Sequence, residues 1–233
     1  MKSVYILSLF LLFLVSSVFG QSIAKNKYGL IVVGDISSYR QIVQKDSNCA
    51  LIDLTKFLPG IKLDIRYATT NNFTKTKLYN KAKAYALYPT ARALRKIREE
   101  LGRQNIDIKI HDAYRPYAVS LKMWDVCPND IYVADPKKGS RHNRGCAIDL
   151  TLIDKDTGNE LDMPTPYDTF SNKARDTYSK LPEKVLKNRK TLRDVMEKYG
   201  FAHSTSEWWH FDFNGWRKYP LLDMSFEVLE STK

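Results

Sequence analysis

Apolar and polar positions along the chain fall into several readable rhythms. Ala93, Leu94, Ile97 and Leu101 recur at helical spacing after Pro89, and Gly102 follows them, which predicts a helix over Pro89–Leu101. Ile106, Ile108 and Ile110 alternate with Asp107 and Lys109, the pattern of a strand with one buried face. Leu51 to Tyr67 also alternates, and Pro59-Gly60 inside it predicts two short strands around a turn. Tyr117–Trp124 reads as a helix and Gly145–Ile153 as a strand. Val185–Tyr199 reads as a helix closed by Gly200, and Trp208–Phe213 as an aromatic-rich strand. Residues 21–50 carry one apolar patch, Leu30 to Val33, and read as a leader segment. Helices and strands mix without a regular βαβ rhythm. This predicts an α+β fold in one domain over residues 21–233.

The first twenty residues break the pattern. Met1-Lys2-Ser3 carries one positive charge, Val4 to Val15 is nearly unbroken apolar, and Ser16 to Gly20 is rich in small residues. That is the layout of a secretory signal peptide with cleavage after Gly20. The apolar run is short for a membrane span, and no basic cluster follows it, so no stable membrane anchor is expected. Export would place the chain outside the cytoplasm, periplasmic or secreted.

Composition narrows the class. The chain has 233 residues, 43% of them hydrophobic, which excludes disorder and low complexity as whole-chain readings. A net charge of +11 raises the question of a polyanion partner. The basic residues are scattered in loose groups, Lys75 to Lys83 and Arg92 to Arg98, which resemble no nucleic-acid module. A solvated basic surface accounts for them. Cys49, Cys127 and Cys146 are an odd set, so one pair at most can form a disulfide. Asn72-Phe73-Thr74 matches a glycosylation sequon.

The candidate chemistry sits in two stretches. In Ser140-Arg141-His142-Asn143-Arg144-Gly145-Cys146-Ala147-Ile148-Asp149, a carboxylate follows an imidazole by seven residues. In Glu207-Trp208-Trp209-His210, a carboxylate precedes one by three. Two His and one Asp make a three-ligand zinc site with a fourth position open to water. Zinc can bring the pKa of a bound water to roughly 7, and a carboxylate outside the ligand set can then act as base. Each histidine alone could equally be a hydrogen-bonded structural residue. If 147–151 is a strand, Ala147, Asp149 and Thr151 share a face, and Gly145 lets the incoming loop return His142 beside Asp149. Glu207 and His210 are an odd number apart. They can serve one metal only if Glu207 lies in the turn before the strand. His111 and His203 are read as structural. Arg115, held extended by Pro116, can offer its fork to a carboxylate or a developing oxyanion, or pair with Asp112.

These motifs resemble the zinc D,D-peptidases of the M15 family, most closely the D-alanyl-D-alanine dipeptidase (VanX-like) branch. Asp64-Ile65-Arg66-Tyr67-Ala68-Thr69, Asp112-Ala113-Tyr114-Arg115-Pro116, Gly139 to Gly145, Asp149 to Leu152 and Met163 to Asp168 carry the likeness, which spans about residues 50–229. The resemblance implies a small α+β domain with a central antiparallel sheet, as in the hedgehog signalling domain. It implies one Zn2+ on His142, Asp149 and His210. Glu207 is implied as general base and acid, and Arg115 as the group that stabilises the tetrahedral intermediate. Tyr67, Ser140 and Asp168 are implied at the substrate, with Asp168 and Tyr67 receiving the free ammonium of a D,D-dipeptide. Cys146 has no implied metal role. An exported enzyme of this kind would recover dipeptide or trim wall fragments outside the cytoplasm. The readings beside it are a peptidoglycan D,D-carboxypeptidase and a non-catalytic zinc-binding module of the hedgehog type.

Overall fold

The computed structural model describes residues 23–231, so the expected signal segment lies outside the described residues. The apolar patch at Leu30 to Val33 is not a leader. Its strand β1 (Val32–Val33) pairs in parallel with β9 (Leu221–Leu222) and ties the start of the domain to its end. Helix α1 (Ile36–Lys45) follows, capped by Asp35, whose carboxylate accepts from the Ser38 amide at 2.8 Å. β2 (Leu51–Asp53) pairs with β4 (Tyr85–Leu87). The first of the two expected strands stops at Asp53 and gives way to a one-turn helix, α2 (Leu54–Phe57), while the second forms as a short strand beyond Pro59-Gly60. Asp53 caps α2 through the Thr55 amide at 3.0 Å, a local bond that overrides the alternation.

The central sheet has five strands, β3 (Lys62–Leu63), β5 (Ile106–Asp112), β6 (Ala147–Asp154), β8 (His210–Phe213) and β7 (Phe201–His203), in that spatial order. All pairs are antiparallel except the edge, where β3 runs parallel to β5. Ile108 faces Leu152 and Ile110 faces Leu150, and all four are fully buried. Helix α3 (Tyr88–Gly102) adds Leu94, Ile97 and Leu101 to the same core, and α5 (Glu183–Lys198) adds Leu192 and Met196. Each such side chain contributes roughly 1.5–3 kcal/mol by leaving water. α4 (Tyr117–Val126) follows the Arg115 loop, and α6 (Phe226–Ser231) lays Phe226 against Tyr79 and Tyr85.

Two irregularities prepare the site. β5 bulges between Ile110 and Asp112, so that Asp112, rather than His111, comes opposite Asp149. Bulges re-aim side chains in this way. The second is Gly145, at φ 65°, which ends the short turn His142–Arg144. A Cβ there would lie 2.7 Å from Leu51 Cδ2 and 2.9 Å from the Leu87 amide nitrogen, so the close approach requires glycine.

Candidate active site

Asp149 on β6 and His210 on β8 are direct cross-strand partners. The Gly145 turn brings His142 to them. His142 Nε2 lies 3.5 Å from Asp149 Oδ1 and 3.2 Å from His210 Nδ1, and His210 Nδ1 lies 2.9 Å from Asp149 Oδ1. Each ring is fixed from behind. His142 Nδ1 lies 2.7 Å from the Ala113 carbonyl, which can only accept, so that nitrogen carries the proton. His210 Nε2 lies 3.1 Å from Asp212 Oδ1, which places a proton there too. Burial by itself would lower the pKa of His210. The Asp212 and Asp149 carboxylates reverse this and raise it well above the usual value. Burial would raise Asp149, but His142 and His210 hold it well below the usual carboxylate range. Two aromatic nitrogens and a carboxylate oxygen, gathered with their protons turned outward, fit a divalent cation.

Glu207 lies in the turn before β8, as the spacing required, and the strand starts at His210 rather than Trp208. It lines a cavity of about 330 Å³ together with His142, Asp149, His210, Arg115, Ser140, Tyr67 and Asp168. That volume is at the small end of ligand pockets, which run roughly 300–1,000 Å³. Burial pushes the Glu207 carboxyl up to about 8, with the opposing charges of His210 and Arg115 only partly offsetting it. A carboxylate so tuned holds a proton well near neutrality. Ser140 accepts from the His142 amide at 3.1 Å and so braces the turn.

Arg115 pairs with Asp112 and is among the residues that line the cavity. Its Nε and Nη2 donate to Asp112 Oδ2 at 3.0 and 2.8 Å. Tyr79 donates to the other Asp112 oxygen at 2.8 Å. The pairing therefore anchors the arginine at the site. Asp168 stands in the left-handed region at φ 63°. Its Oδ1 accepts from the Tyr67 hydroxyl at 2.9 Å, while its buried Oδ2 has no hydrogen-bond partner. Burial raises its pKa to about 6.

The other candidates resolve as structure. His111 stacks on Tyr167, with ring centroids 4.5 Å apart, and lies 3.6 Å from Asp64. Asp64, His111 and Glu160 form a second cluster, but Arg66 and Lys109 already neutralise its carboxylates at 3.1 and 3.3 Å. His203 pairs with Glu197 at 2.6 Å. All three cysteines are free thiols. Cys146 is fully buried, and burial pushes it up to about 12, which disfavours a thiolate ligand. Asn72 is no glycan acceptor. It is buried, and its amide nitrogen donates to the carbonyls of Arg66, Thr69 and Thr76 at 3.3, 2.8 and 2.8 Å, which fixes the loop beyond Tyr67. The residues missed in the sequence are those behind the candidate ligands: Ala113, Tyr167 and Asp212. Only Asp212, two residues from His210 and on the same strand face, left a local signal.

A mixed sheet with such a donor set, a raised carboxylate and a small cavity has the parts that a metal-dependent hydrolase requires. The particular family follows from comparison. The profile of the peptidase M15 family, D-ala-D-ala dipeptidase, matches residues 47–227. The D-alanyl-D-alanine dipeptidase of Escherichia coli (strain K12) is 35% identical over 181 residues, covering 78% of this chain and 93% of that protein. That of Enterococcus faecium is 30% identical over 178 residues, covering 68% and 88%. The crystal structure of the vancomycin resistance D,D-dipeptidase VanXYg, in complex with a D-Ala-D-Ala phosphinate analogue, overlaps 57% of this chain and 52% of that one at 24% identity, with a TM-score of 0.37. The chain belongs to the D-alanyl-D-alanine dipeptidase family of M15 metallopeptidases. Among the described residues, no helix is long and apolar enough to cross a membrane.

Proposed function

We propose that the protein is an exported zinc D,D-dipeptidase that hydrolyses D-Ala-D-Ala in cell-wall peptide turnover outside the cytoplasm. The observation that carries the reading is the unpartnered Asp168 Oδ2 in the same small cavity as the His142–Asp149–His210 cluster. His142, Asp149 and His210 would hold the ion through Nε2, Oδ1 and Nδ1. Zinc, when bound, acidifies water and polarises the scissile carbonyl.

The rest falls to the side chains. Glu207 takes the proton of the attacking water and passes it to the leaving amine; burial raises its affinity for the proton, and the charge of a bound cation would favour the ionised form that accepts it. Arg115, locked by Asp112, offers a preorganised positive charge to the developing oxyanion without reorganising. Asp168 binds the free ammonium of the substrate, with the Tyr67 hydroxyl holding its other oxygen. A longer peptide presents an uncharged amide at that point and leaves a buried carboxylate unmatched, a heavy cost in a low-dielectric site. Ser140 keeps the His142 turn and one cavity wall in place.

The test is a substrate panel, run with and without chelator: free D-Ala-D-Ala, the amino-blocked dipeptide, an L,L-dipeptide and a pentapeptide stem ending in D-Ala-D-Ala. Cleavage of the free dipeptide alone is expected. Cleavage of the stem and not of the dipeptide would make the protein a D,D-carboxypeptidase, and no cleavage at all with zinc retained would make it a binding module. Export is checked by sequencing the mature N-terminus, expected at Gln21.

A further inference from the structure

We propose that Tyr167 is a positioning residue of the metal site, which holds Asp149 so that a single carboxylate oxygen, Oδ1, faces the two histidines. The inference rests on the metal reading above. The Tyr167 hydroxyl donates to Asp149 Oδ2 at 3.0 Å. The other oxygen, Oδ1, is the one near His210 Nδ1 and His142 Nε2, at 2.9 and 3.5 Å. One carboxylate oxygen is therefore occupied from behind, and the other is left for a cation.

The hydroxyl can do this because its ring cannot turn away. Tyr167 is only 4% exposed. One face stacks on His111, with centroids 4.5 Å apart and planes 12° from parallel. Trp209 meets the ring at 5.5 Å and 76°, and Tyr67 at 6.2 Å and 66°. These contacts need only an aromatic ring, and phenylalanine would make them equally well. A buried phenol needs a polar partner, and the partner here is the outer oxygen of a candidate ligand. Partners of this kind orient metal ligands, here by a hydrogen bond that also favours the charged carboxylate, and losing one typically weakens metal binding about 10–100-fold. A carboxylate freed at Oδ2 can also rotate to offer both oxygens.

The experiment compares wild type, Tyr167→Phe and Tyr167→Leu. Zinc affinity is measured by competition with a chromophoric chelator, and folding by the melting temperature of the metal-free protein. Cobalt(II) absorption reports the coordination number. The expected result is a roughly 10-fold or greater rise in the zinc Kd for Tyr167→Phe, with a melting temperature that falls less than that of Tyr167→Leu, since the ring contacts stay and only the bond to Asp149 is lost. Its cobalt spectrum should lose intensity, as a second Asp149 oxygen joins the ion. Tyr167→Leu should melt lower and yet weaken zinc to about the same extent as Tyr167→Phe. Two results overturn the inference: a Tyr167→Phe protein that binds zinc as wild type does, or a loss confined to Tyr167→Leu, which would give the ring the role and not the hydroxyl. Wild type that binds no zinc would instead bring down the metal reading and this inference with it.

Discussion

The two walls of the cavity are built on opposite principles. On the wall of His142, Asp149 and His210, each side chain has a partner behind it: the Ala113 carbonyl, the Tyr167 hydroxyl and Asp212. In the rest of the lining, the second wall, Asp168 keeps a buried oxygen with no hydrogen-bond partner, and burial raises both Asp168 and Glu207. Full satisfaction fixes geometry, as a metal site needs. Incomplete satisfaction leaves groups that gain by meeting a ligand or a proton, at the expense of the free protein's stability. In the proposed reaction, one wall would hold the site's shape, and the other would discriminate and react.

That division gives the two walls different failure modes. The largest effect is expected from the first wall as a whole: stripping metal with a chelator should abolish turnover, and added zinc should restore it, as measured by D-alanine release. Next comes Glu207→Gln, which should keep zinc by elemental analysis and still lose about 10²–10⁴-fold in kcat. Normal turnover in that variant would remove the assigned base. Asp168→Asn should act on substrate rather than metal. With the ammonium unpaired, kcat/KM should fall about 30-fold or more, mostly through KM. The same variant should melt no lower than wild type, since Asn also tolerates the left-handed turn.

The acid limb of the pH profile separates the walls further. Asp168, raised to about 6, is charged above that pH and neutral below it. Attraction for the ammonium is therefore lost as pH falls through about 6, and kcat/KM should drop there. For stability the sign is opposite. A carboxyl whose folded pKa lies above the ordinary 3.8 makes the fold less stable as pH rises through the window from 3.8 to about 6. Asp168→Asn should remove the part of both trends centred near 6 and leave the part due to Glu207, raised to about 8; an acid limb identical to wild type would assign that part to another group. The smallest effect is expected from Gly145→Ala, which forces a Cβ against Leu87 and Leu51 at positive φ. It should cost about 1–3 kcal/mol in denaturant unfolding and loosen zinc by displacing His142.

Much of the site was legible because its signals are short-range. His142 and Asp149 are joined by a glycine turn and one strand, and Glu207 and His210 by a single turn. The odd spacing of the second pair required Glu207 to precede the strand, and it does, although the strand starts at His210 and not at Trp208. The helix at Pro89 and the strand at Ile106 were equally plain, because a periodic apolar face leaves its rhythm in the residues. The segment after Asp53 misled because one carboxylate cap outweighed three residues of alternation. α1 was hidden for a similar reason: its start is set by Asp35 and its buried face is weak, with Tyr39 its one fully buried residue.

Residue type and spacing along the chain determined the candidate groups, the fold class and the reach of the family likeness. The tertiary structure decided what stands behind those groups. The bulge in β5 sets Asp112 against Asp149, the loop carbonyl of Ala113 selects the tautomer of His142, and Tyr167 meets Asp149 across 18 residues. None of these contacts follows from a local periodicity. Each depends on strand register and loop closure, and those are settled only when distant segments pack into one core.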